Sequence, residues 1–316
     1  MAQDENNQRS TNLFWRILTF PLSKIIIAVI LVNVPTFIMR NLAQFILSAL
    51  SVQNAQGEAF VVFIVRLLTV YFVYSLFVRY FEKRKADEIS INRSALKEFS
   101  FGGILGLLTI VVVMGIMLIF RWYSIEGINQ SATPFTSFLY DFFYAFLQDI
   151  VYFTIIFRVT EESLGSWIAL VVASIIFGFK HTLFPGYNLW SLIAQSIEAG
   201  ILFSTLFMLT RRIWVIFGFH FVWNYIEHGV VGIPEIDGMQ GILISKFSGS
   251  EIFTGSPVGP EASILTFIVG LGLGIYFLNK VYRKGNFVLP FWKLGNNVNT
   301  IPNNYRIFKN GKKTIE

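Results

Sequence analysis

Long apolar runs, interrupted by short basic or polar stretches, dominate the chain. A helix that crosses a bilayer needs about 20 mostly apolar residues. About eight runs meet this requirement, at roughly 24–51, 58–81, 101–121, 135–160, 167–183, 189–210, 213–231 and 260–281. The pattern predicts an all-α fold, a polytopic membrane helix bundle with about eight transmembrane helices. The first run is the longest and carries Arg40, which predicts a broken or partly interfacial helix there. Residues 1–23 read as a polar N-terminal segment and 24–100 as N-terminal membrane helices with a basic loop. Residues 101–281 read as a helical core and 282–316 as a basic, solvated tail.

The basic residues sort by loop. Arg9, Arg16 and Lys24 precede the first run, and Arg79, Lys83, Arg84, Lys85, Arg93 and Lys97 follow the second. Arg158 closes the fourth, Arg211 and Arg212 follow the sixth, and a further set from Lys280 onward follows the last. The opposite loops hold little beyond Arg121, Lys180 and Lys246, and the loop after the seventh run is acidic (Glu235, Asp237, Glu251). Positive residues collect on the cytoplasmic side, so this alternation predicts that both termini are cytoplasmic. Lys83, Arg84 and Lys85 read as part of that orientation signal rather than as a site for anionic lipid.

Composition agrees with the pattern. Of 316 residues, 54% are hydrophobic and 14% charged, against roughly 25% charged in a soluble domain. That excludes a soluble globular protein and a disordered one. A net charge of +6 would suit a nucleic-acid binder, but the basic residues lie between apolar runs. The partner implied is the lipid bilayer, not nucleic acid. Cysteine is absent, so there is no thiolate nucleophile and no cysteine metal site. Gly270, Gly272 and Gly274 in the eighth run predict close helix packing.

Ionisable groups inside a bilayer are costly, so each is a functional candidate. Counting about 1.5 Å per residue from the cytoplasmic ends puts Gln148 and Asp149 about 14–15 Å deep. The same count puts His181 at about 21 Å, His220 at about 12 Å, Asn224 at about 18 Å and Glu198 at about 20 Å. Polar groups of four runs therefore share one slab. His220, Asn224 and His228 recur every fourth residue, one face of a helix. Two histidines and a carboxylate form a common zinc-ligand set, which makes His181, His220 and Asp149 candidate ligands and zinc a candidate cofactor. The alternative is that these groups serve only as hydrogen bonds between helices. His228 lies toward the outer end, and Asp141 lies two turns outward of Asp149.

At these residues the chain resembles a family. Phe177-Gly178-Phe179-Lys180-His181 resembles the FxxxH motif of the CAAX-protease and bacteriocin-processing (CPBP, or Abi) family of intramembrane peptidases. His220-Phe221-Val222-Trp223-Asn224 resembles its HxxxN motif. The run from Phe157 to Trp167 resembles the stretch joining the family's first two motifs, and Gly259-Pro260-Glu261-Ala262-Ser263 a late segment of bacterial members. The resemblance covers residues 101–281 as a peptidase-like core. The family's first motif, EExxxR, does not fall on Glu161-Glu162, because those residues lie about 20 Å from the depth of His181. It falls on Gln148, Asp149 and, in place of the arginine, Phe153.

The resemblance implies an intramembrane endopeptidase of the metallo or glutamic type, in a bacterial plasma membrane, with Gln148, Asp149, His181, His220, Asn224 and Glu198 as site residues. Implied substrates are prenylated CAAX tails or, for bacterial members, membrane-associated peptides and proteins. Gln148 cannot act as a general base, so two readings stand. In one, Asp149 or Glu198 supplies the carboxylate and Asn224 helps to hold an oxyanion. In the other, the chain is a pseudopeptidase, a membrane scaffold or immunity-type binding protein.

Overall fold

The computed structural model describes residues 13–183, 186–233 and 240–293. The first twelve residues, the acidic Glu235 and Asp237, and the tail from residue 294 lie outside them. Six helices are long and apolar enough to cross a membrane: α1 (Pro21–Ala49), α2 (Ala55–Phe81), α3 (Arg93–Ile119), α4 (Pro134–Leu164), α6 (Leu189–Thr210) and α8 (Ile264–Arg283). Two shorter helices complete the bundle. These are α5 (Ser166–His181) and α7, which runs Trp214–Tyr225 and continues as a π-helical stretch over Ile226–Val231. At about 1.5 Å per residue, 16 residues reach about 24 Å, short of a hydrocarbon core of about 30 Å. The chain is thus an integral membrane protein with an all-α bundle, and six of its helices have a full spanning length.

Local chemistry sets the helix ends. The side chains of Asn54, Asn92 and Ser263 accept hydrogen bonds from the backbone N–H groups of Gly57, Ala95 and Thr266, closing the N-termini of α2, α3 and α8. Asn188 and Ser191 form a reciprocal capping pair at the start of α6. Gly165 takes φ +84 at the sharp turn between α4 and α5, where a Cβ would lie 2.8 Å from the nitrogen of Pro290.

α1 departs from expectation. It is one continuous helix through Arg40, despite Pro35 inside it. Asn33 and Thr36 donate to the carbonyls of Val29 and Val32, which eases a proline in a bilayer. A two-stranded antiparallel ribbon was also not expected. β1 (Tyr123–Ile128) pairs with β2 (Leu243–Phe247), tying the connection after α3 to the one before α8.

Small residues bring the helices into backbone contact. A Cβ on Gly102 would lie 1.9 Å from the carbonyl oxygen of Val215, and one on Gly218 would lie 2.1 Å from that of Phe99. α3 and α7 therefore touch along their backbones, and α7 carries His220. Gly270 of α8 is pressed against Glu198 of α6, with a would-be Cβ contact of 2.6 Å. Gly272 meets nothing within 4 Å, so only Gly270 and Gly274 of that run pack as expected. Aromatic rings fill the space between α3, α4 and α7; Phe142 and Phe217 meet edge to face at 4.7 Å.

One end of the bundle is closed by buried ion pairs. Arg158 bonds Glu82 at 2.8 Å and Glu162 at 2.5 Å, while Arg84 bonds Glu88 at 2.7 Å. Tyr74 donates to Glu88, and Lys24 lies 3.6 Å from Glu82. Arg84, expected as a loop charge, is a member of this buried network, with its side chain 9% exposed. Burial raises the Glu82 carboxyl, but the charges of Arg158, Arg84 and Lys24 outweigh it and hold it down at about 2. Glu161 bonds Arg211 and Ser166 at the same end, consistent with a structural role away from the histidines.

Candidate functional site

Three π-helical stretches mark the middle of the bundle. One, Ile150–Phe157, begins just after Asp149 in α4; one, Ser196–Ile201, contains Glu198; the third contains Glu227 and His228. A π turn inserts an extra residue into the helical repeat and re-aims the side chains near it, which is why such turns collect at functional sites.

Beside them lies a cavity lined by residues of α3, α5, α6, α7 and α8 and the segments between them. His181, His220, Asn224, His228 and Glu198 all line it, together with Lys180, Tyr187 and Glu261. The centre of a water molecule has about 60 Å³ to move in there, and roughly 10–15 Å³ suffices for one water. Several waters therefore fit.

His220 is 5% exposed, and its Nδ1 lies 2.9 Å from Oδ1 of the fully buried Asp149. A carboxylate oxygen accepts, so Nδ1 carries the hydrogen and Nε2 is left with a lone pair. A second pair repeats the arrangement, with His228 Nδ1 at 2.8 Å from Oδ1 of Asp141. The repeat follows from antiparallel helices, because Asp141 and Asp149 are spaced as His228 and His220 are. Neither aspartate lines the cavity; each supports a histidine that does. His181 donates from Nδ1 to its own helix, at the carbonyl of Phe177 2.9 Å away. Its Nε2 is therefore also unprotonated in the neutral ring.

The remaining expected site residues separate. Gln148 does not line the cavity, and its amide oxygen accepts from Lys180 Nζ at 2.5 Å. An amide is no base, and this one is already engaged. Asn224 faces the cavity, and its amide makes no hydrogen bond with another described residue. Glu198 is 4% exposed with no hydrogen-bond partner for Oε2, and it bonds neither histidine.

Among the described residues no group of three or more histidine or carboxylate side chains is placed to hold a metal ion. Asp149 stands behind the His220 ring instead of beside it, and the Nδ1 of His181 is turned to a carbonyl.

Four groups at or beside the cavity were not singled out as site residues from the sequence: Lys180, Tyr187, Glu227 and Glu261. Glu227 sat inside an apolar run, and that alone was a signal. Glu261 precedes α8 and reaches the cavity only because its loop folds inward, where Tyr187 donates to it. No protein-family model, no curated protein and no solved structure matches this chain.

Proposed function

We propose that this chain is an intramembrane endopeptidase-like protein of the CPBP type that hydrolyses peptide bonds of membrane-associated peptides or proteins. The observation that carries the reading is the buried Asp149–His220 pair, whose free ring nitrogen belongs to a residue lining a water-sized cavity. In this reading His220 Nε2 takes a proton from a cavity water as the water oxygen attacks the substrate carbonyl carbon. Asp149 holds the ring in the required tautomer and stabilises the imidazolium that forms. The Asn224 amide donates to the oxyanion. His220 then returns the proton to the leaving amine, and the carbon–nitrogen bond breaks. His181 accepts a hydrogen bond from the same water and orients it. We further propose eight crossings with both termini cytoplasmic, on the strength of the alternating basic loops, and a bacterial plasma membrane as the site of action.

A second reading rests on Gln148. The position that carries the catalytic glutamate in the CPBP pattern holds a neutral amide bonded to Lys180, which favours a pseudopeptidase that binds without cutting. One experiment separates the two: comparing membrane-proteome N-termini in cells carrying the protein and cells carrying His220→Ala at matched levels. We expect N-termini that disappear with the variant. Identical sets would overturn the hydrolytic reading and leave the binding protein.

A further inference from the structure

The cavity has an acidic end that the hydrolytic scheme does not use. Glu198 and Glu261 both line it, and Oε1 of Glu227 faces Gly259, two residues before Glu261, 3.0 Å from where a Cβ would sit. Glu227 is 1% exposed and accepts from Trp223 Nε1 at 2.8 Å. Glu261 accepts from Tyr187. Glu198 makes no side-chain hydrogen bond with another described residue, and its Oε2, like Oε1 of Glu227, is buried with no hydrogen-bond partner. The backbone of Gly270 packs against the Cβ of Glu198, which seats this stretch of α6 directly on α8. Lys180 is the only lysine or arginine among the described lining residues, and its ammonium donates to Gln148.

A buried carboxylate oxygen without a partner is costly, and a positive group brought by a ligand would remove that cost. The described histidine and carboxylate groups are not spaced to hold a metal ion, which points away from a compact inorganic cation. An ammonium or guanidinium on a flexible stem can reach several acceptors that are not mutually close. We propose that Glu198, backed by Glu261 and Glu227, forms a subsite for a lysine or arginine side chain of the bound peptide. The proposal rests on the peptidase-like reading for its ligand, a peptide, but not on cleavage.

The test uses the full chain in nanodiscs and two fluorescent apolar heptapeptides, identical except for a central lysine or norleucine. Binding is read by anisotropy. We expect the lysine peptide to bind at least about tenfold more tightly, as a charged hydrogen bond would give. In Glu198→Gln that preference should fall to about threefold or less, and Glu261→Gln should reduce it by a smaller factor. Both variants keep side-chain size, and matching unfolding temperatures show that they fold. Equal binding of the two peptides by the native chain, or an undiminished preference in Glu198→Gln, would overturn the subsite. The two readings fail separately. Cleavage of both peptides without preference removes the subsite and keeps the peptidase; a Glu198-dependent preference with no cleavage does the reverse.

Discussion

At the level of single residues, Asp149 and His220 matter most. The aspartate is fully buried, and its sole hydrogen-bonded side chain among the described residues is the imidazole. Asp149→Asn keeps size but loses the charge that stabilises a protonated ring. In the hydrolytic reading we expect kcat to fall by at least about a hundredfold with KM nearly unchanged, measured on a fluorogenic peptide in proteoliposomes. An equal loss in KM alone would mean that Asp149 shapes the pocket and not the proton transfer. The sequence placed His181, His220, Asn224 and Glu198 at one depth, and all four line one cavity. It could not tell that Asp149 stands behind a ring, or that Gln148 is turned to Lys180, because helix depth carries no information about side-chain direction.

At the level of helices, backbone contact between α3 and α7 holds the histidine helix in place. Gly102 and Gly218 leave no room for a side chain, since each would-be Cβ meets a carbonyl oxygen of the facing helix. Overpacking a filled interface costs about 1–3 kcal/mol or more. We expect Gly218→Val to lower the unfolding temperature in detergent by several degrees and to abolish cleavage. Gly272→Ala, at a position with open space, should leave both unchanged. Gly270 and Gly274 of α8 were legible as packing residues in the sequence, whereas Gly272 beside them faces open space. The glycines of α3 and α7 were not legible in this way, because a glycine in an apolar run looks the same whether it faces lipid or another helix. The β1–β2 ribbon escaped for a related reason: five or six residues between spans are too few to show a period against their flanks.

For the whole molecule, the buried ion-pair network ties α1, α2 and α4 together at one end. Glu82 has an ordinary value of 4.5 and is held at about 2 in the folded chain. Its folded value is depressed, so its contribution is fully present above about pH 4.5 and is lost as pH falls toward 2. That contribution is about 3 kcal/mol. We expect the unfolding temperature in detergent to drop progressively below pH 5, and Glu82→Gln to be less stable at pH 7 and flatter with pH. A native chain whose stability does not change between pH 5 and 3 would rule the network out as a clamp. Orientation has its own test, since the chain contains no cysteine. Single cysteines at Ser90 and Asn129 should react with impermeant reagents from opposite sides of the membrane, with Ser90 on the cytoplasmic side.

What the sequence determined by itself was the solvent and the element type. Apolar runs near bilayer length, with 14% charged residues, leave the backbone no alternative to helices that satisfy their own hydrogen bonds in lipid. Spacing along those helices also set the depth of the polar groups, because helical rise is constant. The tertiary structure decided what depends on neighbours. It joined Asp149 to His220 and Asp141 to His228, drew Arg84 into a buried network, and left Glu198 facing the cavity without a partner. The placements of the two histidine–aspartate pairs and of Glu198 depend on rotation about a helix axis, which π turns in α4, α6 and α7 alter locally. Rotation is set by which helices pack together, and no single run of residues contains that information.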